Sequence, residues 1–122
     1  MSNNNIVIRE ISKHDDEQIA QVIRNVLIEF GVPKVGTAYA DISLDKMTET
    51  YNNNKSIYFV IDHDSQIIGG AGIAPLDNFD GNVCELQKMY FLPEARGKGL
   101  GSLMMETCLK KAQEFGFERC YL

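Results

Sequence analysis

Apolar residues recur at two different spacings along this chain, and the places where the spacing changes divide it into elements. From Ile6 to Ile11 they alternate, with Ile6 and Ile8 on one face, which predicts a first strand. Ser12 then stands where a helix N-cap belongs, with Asp15 three residues on as its capping-box partner. Asp15, Asp16 and Glu17 load the first turn with negative charge, as a helix N-terminus favours. Ile19, Val22, Ile23, Val26, Leu27 and Phe30 follow at helical spacing until Gly31 and Pro33 stop the run. Leu44, Met47 and Tyr51, with Ser43 as cap, predict a second, short helix that ends at Asn52-Asn53-Asn54. Ser56 to Asp62 is a β-rich run, His63-Asp64-Ser65 a tight turn, and Gln66 to Ala74 a returning strand. The glycines of Gly69-Gly70-Ala71-Gly72 are unusual inside a strand and predict a bulge or a close backbone neighbour. A polar loop, Pro75 to Asn82, carries Asp77 and Asp80 and leads into a fourth strand, Val83 to Leu92. Leu100, Leu103, Met104 and Thr107 begin an amphipathic helix that runs to Phe115 with Gly116 as its cap, and Cys120-Tyr121-Leu122 opens a fifth strand.

The predicted order is therefore β-α-α-β-β-β-α-β, a mixed α/β (α+β) sheet in one domain over residues 1–122. A last strand of three residues is short against the usual five or six, so the domain is expected to be C-terminally incomplete. An unfinished sheet leaves an unpaired edge, which invites self-association, and a homodimer is an expected form.

Composition narrows the classes. With 122 residues, 44% hydrophobic and 24% charged, the chain is long enough for one hydrophobic core. A net charge of −5 and a pI near 4.9 argue against nucleic acid as partner and suit a cationic or amine substrate. No apolar run approaches the roughly 20 residues that span a membrane, and Met1-Ser2-Asn3-Asn4-Asn5 lacks the features of a signal peptide, so a cytoplasmic protein is expected. Cys84, Cys108 and Cys120 are odd in number and show no C-x-x-C spacing, which predicts buried free thiols and neither a disulfide framework nor a metal site.

The chemistry concentrates in Arg96-Gly97-Lys98-Gly99-Leu100-Gly101, between the fourth strand and the last helix. Glycines there let the backbone approach a ligand closely, and the helix start aims unpaired N–H groups at the same point, so phosphate is the natural occupant. The spacing is not that of a Walker A loop. Ser102 stands where a dinucleotide fingerprint needs its third glycine. The longer stretch Glu85-Leu86-Gln87-Lys88-Met89-Tyr90-Phe91-Leu92-Pro93-Glu94-Ala95-Arg96-Gly97-Lys98-Gly99-Leu100-Gly101 resembles the fourth strand and helix start of the GNAT superfamily of N-acetyltransferases, and the order of elements before it agrees.

That resemblance implies a GNAT-like fold and transfer of an acetyl group from acetyl-CoA, a co-substrate used without metal, to a primary amine of a small molecule or a protein. It implies that the backbone from Gly97 through Lys98, Gly99, Leu100 and Gly101 to Ser102 holds the diphosphate. Arg96 either adds charge there or braces the turn, and Lys98 either adds charge or is solvated. It implies further that the strand segment Met89-Tyr90-Phe91 binds the pantetheine arm through its backbone, where the fourth and fifth strands splay apart. Glu85 matches the position of a catalytic glutamate. By alternation it shares a strand face with Gln87 and Met89, unless a bulge flips one side; the bland alternative is a glutamate facing solvent or an ion pair. Tyr39, Asp41 and Tyr51 fall in the segment that would line the acceptor site. His14 and His63 sit in turns and read as exposed, and Asp77 and Asp80 would attract a cation or simply be solvated. The family's domain continues beyond the point where this chain ends, with a tail that supplies the tyrosine acid. The alternative reading is thus a truncated CoA-binding or dimerising module without turnover.

Overall fold

In the computed structural model, which describes residues 5–76 and 82–122, the run Ile57-Tyr58-Phe59-Val60-Ile61 lies at the centre of the molecule, buried on both faces. A strand covered on both sides reads as a continuous apolar run, because each face must meet its own layer. Tyr58 and Val60 point to one layer, while Ile57, Phe59 and Ile61 point to the other.

The strands are β1 (Ile6–Glu10), β2 (Ile57–His63), β3 (Gln66–Pro75), β4 (Val83–Phe91) and β5 (Arg119–Tyr121), and they lie side by side in that order. Neighbours from β1 to β4 are antiparallel, and β5 pairs parallel to β4. The crossover between those last two is α3 (Leu100–Glu114), as a parallel pair requires. Helix α1 (Asp16–Glu29), the single turn α2 (Met47–Thr50) and the residues flanking α2 cover one face with Ile19, Ile23, Leu44, Met47 and Tyr51. Helix α3 covers the other with Leu100, Met104, Cys108 and Ala112. The element order and the mixed sheet read from the sequence are those observed.

Two local expectations shift. The Ser12–Asp15 pair forms, Ser12 N–H and Oγ both donating to Asp15 Oδ2 at 2.8 and 3.2 Å. It closes a short 3₁₀ turn, Lys13–Asp15, so α1 begins at Asp16, three residues beyond the start that a Ser12 cap predicts. Asp15 is recruited there because Arg9 grips its carboxylate at 2.8 and 2.9 Å and reaches Asp62 at 3.0 Å, joining β1, the helix entrance and β2. Asp15 is buried, where an unpaired charge would be costly. In the second case Asp41, not Ser43, supplies the cap, and it caps the 3₁₀ turn Ile42–Lys46 that leads into α2, whose own start at Lys46 has no side-chain cap. The Asp41 side chain accepts the Ser43 N–H at 2.9 Å, and most of the segment winds as 3₁₀ turns, Ala38–Ala40 and Ile42–Lys46. Asp takes that role because its carboxylate reaches its own backbone two residues on.

The glycines of β3 have a close neighbour, and that neighbour is an aromatic ring. Tyr58 crosses the face of β3 toward β4. A Cβ on Gly70 would stand 2.6 Å from its Cε2, and one on Gly72 would stand 2.6 Å from its Cδ1 and 2.5 Å from the Ile57 carbonyl. The bulge lies opposite, on β4: Gly70 pairs with Tyr90 but Gly72 with Gln87, so three steps of β4 face two of β3. Lys88, inside the bulge, has φ +49°, a conformation uncommon for a residue with a side chain. Its carbonyl, left out of the ladder, accepts a hydrogen bond from the Tyr58 hydroxyl at 2.7 Å.

Two predictions follow from this framework. Replacing Gly72 with alanine forces the Tyr58 ring or the β2 backbone to move and lowers the unfolding free energy by about 1–3 kcal/mol in chemical denaturation; unchanged stability would mean that the ring does not lie there. Arg9 holds the Asp15 carboxyl below its ordinary value of 3.8 through their hydrogen bonds. The pair's contribution is therefore full above that value and lost as pH falls through the lower folded-state value. Asp15→Asn is expected to cost about 2 kcal/mol at pH 7, discounted for Arg9's partial exposure. The gap to the parent protein narrows only below about pH 4, which urea melts at several pH values check.

Candidate functional site

The bulge at Lys88 divides β4 into two halves that present their side chains to opposite layers. Before it, Cys84 and Leu86 pack on the α3 side, so Glu85 and Gln87 face α1 and α2. After it, Met89 and Phe91 pack on the α3 side, and Tyr90 turns toward α1. Simple alternation puts Glu85, Gln87 and Met89 on one face. The structure keeps Glu85 with Gln87 and sends Met89 to the other side, because one extra residue reverses the parity of everything beyond it.

On the α1–α2 side a chain of polar groups forms. The Tyr51 hydroxyl donates to Gln87 Oε1 at 2.7 Å, and Gln87 Nε2 donates to Glu85 Oε1 at 2.9 Å. Glu85 is thus held by one oxygen. Burial, and secondarily the charge of Glu85, pushes the Tyr51 phenol well above its usual range, so it remains a donor. Its ring lies 5.2 Å from that of Tyr58, and Lys88 Nζ sits 5.7 Å from its centroid. Tyr58 is fully buried, which likewise raises its phenol and keeps the proton that bonds the Lys88 carbonyl.

Of the three residues expected around the acceptor, Tyr51 is the one that reaches the Glu85 chain. Tyr39 is half-buried between Arg24 and Lys34, each 5.7 Å from its ring, and its carbonyl accepts from Arg24 Nε at 2.9 Å. The Asp41 carboxyl is lowered, first by the Ser43 N–H it accepts.

The α3 side carries the glycine loop. After a 3₁₀ turn, Pro93–Ala95, both Gly97 and Gly99 adopt positive φ, +75° and +78°. Gly99 is the N-cap of α3 and no side chain caps that end. The first-turn N–H groups have no partner within the helix, and the positive end of its dipole faces the same way. Leu100 buries its side chain in the α3-side core, anchoring the turn. Arg96 is engaged elsewhere: its guanidinium bonds Glu29 at 2.7 and 2.8 Å and the Phe91 carbonyl at 2.8 and 3.1 Å, and lies 5.4 Å from the Phe30 ring. It fastens the loop to the end of α1, whereas Lys98 is exposed.

Between β4 and α3 runs an open groove of about 500 Å³, lined by Met89, Gly101, Ser102, Met105, Glu106 and Leu109. The β4–β5 pairing runs only from Val83–Arg119 to Glu85–Tyr121. Beyond it, among the described residues, Leu86 to Phe91 have no strand partner on that edge.

Other residues singled out from the sequence stand apart. His14 is exposed, His63 ends β2 with Asp64 3.7 Å away, and Asp77 and Asp80 lie outside the described residues. The cysteines are free; Cys84 and Cys108 are buried and Cys120 is half-buried. Burial pushes the Cys84 and Cys108 thiols up to about 12, which makes them poor nucleophiles. No group of three or more metal-ligating side chains occurs among the described residues. No helix among them is long and apolar enough to cross a membrane.

Sequence reasoning did not pick out Tyr58, and it placed Gln87 only on a strand face. The signal for Tyr58 was indirect, in the glycines that make room for its ring. No local pattern announces the hydrogen bond from Tyr51 to Gln87, residues 36 positions apart.

Comparison with known proteins agrees with this architecture. The pattern that defines the acetyltransferase (GNAT) family matches residues 23–122. An uncharacterized N-acetyltransferase of Escherichia coli K12, YjgM, is 42% identical over 117 residues, covering 95% of this chain and 70% of that protein. Among solved structures, a GNAT-family acetyltransferase of Staphylococcus aureus Mu50 superposes with a TM-score of 0.78 at 19% identity, covering 92% of this chain and 68% of that one. A predicted acetyltransferase of Clostridium acetobutylicum, solved with acetyl-CoA, superposes with a TM-score of 0.77 at 22% identity, covering 94% and 78%.

Proposed function

Because this chain belongs to the acetyltransferase (GNAT) family, whose members transfer acetyl groups from acetyl-CoA, we propose that it acetylates a primary amine of a small molecule or a protein at the two-sided site on β4. The observation that carries this reading is the groove between β4 and α3, which opens beside an uncapped helix start built on two left-handed glycines. The solved relative that contains acetyl-CoA supports the same ligand here.

In this reading the N–H groups from Gly97 to Ser102 receive the diphosphate, and the dipole of α3 and the free charge of Lys98 favour it. Leu100 contributes its backbone, since its side chain is buried. Arg96 shapes the loop from outside by its bonds to Glu29 and Phe91. The pantetheine arm lies along the unpaired edge of Met89, Tyr90 and Phe91 like an added strand. Gly101 adds no side chain to the groove wall beside Met89.

The acceptor amine approaches from the α1–α2 side, past Tyr39 and Asp41. Its nitrogen attacks the thioester carbonyl carbon, the C–S bond breaks, and the sulfur leaves as a thiolate that takes up a proton. Glu85 removes the proton the amine must lose. Gln87 holds one of its oxygens and so leaves the other for that work. Holding thioester and amine together supplies much of the acceleration.

Calorimetric titration with acetyl-CoA, followed by release of free thiol with panels of amino acids, polyamines and lysine peptides, tests this reading. One-site binding and turnover with at least one panel support it; no binding by the parent protein would refute it. In Gly99→Asp, a carboxylate side chain forced into a left-handed position repels the diphosphate, and acetyl-CoA affinity is expected to fall at least about 100-fold. An unchanged affinity would remove the loop from the site. Glu85→Gln is expected to lower kcat by about 100-fold near neutral pH and to leave acetyl-CoA affinity within about 2-fold. An identical rate and pH profile would mean that Glu85 is not the base.

A further inference from the structure

We infer that Tyr58 is a positioning residue for this site: its hydroxyl, through the Lys88 carbonyl, holds the bulge that keeps Met89 at the groove, Phe91 in the α3-side core, and Glu85 and Gln87 on the opposite side. The inference rests on the acetyl-CoA reading above for its consequence, though not for its geometry.

Three independent features converge on that hydroxyl. The bulge leaves the Lys88 carbonyl without a ladder partner, and Tyr58 Oη supplies one at 2.7 Å. Lys88 sits at φ +49°, a conformation that a residue with a Cβ keeps only when its surroundings enforce it. Gly70 and Gly72 leave room for the ring to cross β3 toward β4, since a Cβ at either would lie 2.6 Å from a ring carbon. A phenylalanine would fill the same space but leave the carbonyl, on a half-buried stretch of β4, without this donor. The ring also packs 5.2 Å from Tyr51, whose hydroxyl bonds Gln87. Tyr58 therefore touches both halves of β4, one directly and one through its neighbour, while facing neither the groove nor solvent. Without the hydroxyl, a regular ladder competes with the bulge, and regular pairing would turn Met89 away from α3.

The experiment compares the parent chain, Tyr58→Phe, and Tyr58→Phe combined with Lys88→Gly. Each is titrated calorimetrically with acetyl-CoA and with 3′-phosphoadenosine 5′-diphosphate, which carries the diphosphate but no pantetheine. Nuclear Overhauser contacts of the Met89 methyl group report the bulge directly, since the parent places that methyl near Gly101. In Tyr58→Phe, acetyl-CoA affinity is expected to fall about tenfold while the diphosphate fragment stays within about twofold, and the Met89–Gly101 contact weakens. Glycine at position 88 adopts positive φ without help, so the double variant recovers both. Unchanged acetyl-CoA affinity with the contact intact would overturn the inference. So would equal weakening of both ligands, which is the mark of general loss of structure. If the parent chain binds neither ligand, the acetyltransferase reading fails, and the Met89 contact alone then decides whether Tyr58 holds the bulge.

Discussion

A carbonyl turned into the packed layer of a sheet calls for a donor, and the extra residue in β4 creates one, on a half-buried stretch of the strand, that falls outside the regular pairing. The Tyr58 hydroxyl answers that requirement at 2.7 Å, and much of the local design follows from getting it there. Its ring needs a smooth strand to cross, so β3 carries glycine at positions 70 and 72. Its phenol must stay protonated, which full burial ensures. The bulge so maintained reverses the parity of β4, and one strand can then serve two compartments. Glu85 and Gln87 face α1 and α2, while Met89 lines the groove beside α3 and Phe91 packs in the α3-side core.

Two arginines fasten the elements around that strand. Arg9 joins β1, the entrance to α1 and β2 through Asp15 and Asp62. Arg96 joins the glycine loop to the far end of the same helix through Glu29 and to the end of β4 through the Phe91 carbonyl. Helix α1 is thereby tied to the sheet at both ends, and the loop is set from outside. Exposed pairs such as Arg96–Glu29 add little stability on their own, and their value here lies in geometry.

The sequence was most readable where periodicity and glycine chemistry act locally. The six apolar residues from Ile19 to Phe30 predict α1, and Gly97 and Gly99 predict the turn that opens α3. Gly70 and Gly72 announce a close neighbour without naming it, because the neighbour comes from another strand. The bulge had no local signal at all: Lys88 occupies a left-handed position where glycine or asparagine would have given warning. The parity rule placed Met89 with Glu85 unless a bulge intervened, and the structure sets that bulge at Lys88, where the long-range bond from Tyr58 meets it. Similarly, Asp41 took the cap expected of Ser43, since either residue suits that role and position alone does not choose. The chain from Tyr51 through Gln87 to Glu85 is a product of tertiary packing, and composition carries no trace of it.

The central claim is that one bulged strand divides the ligand from its acceptor. It is tested most directly by nuclear magnetic resonance of the isotope-labelled chain titrated with acetyl-CoA. The account predicts the largest amide shifts at Met89, Phe91 and the run Gly97 to Ser102, with smaller changes on the facing turn of α3 at Met105. Shifts confined to the surface hollow lined by Lys13, Asp16, Thr48 and Asn52, with the glycine loop unmoved, would contradict it.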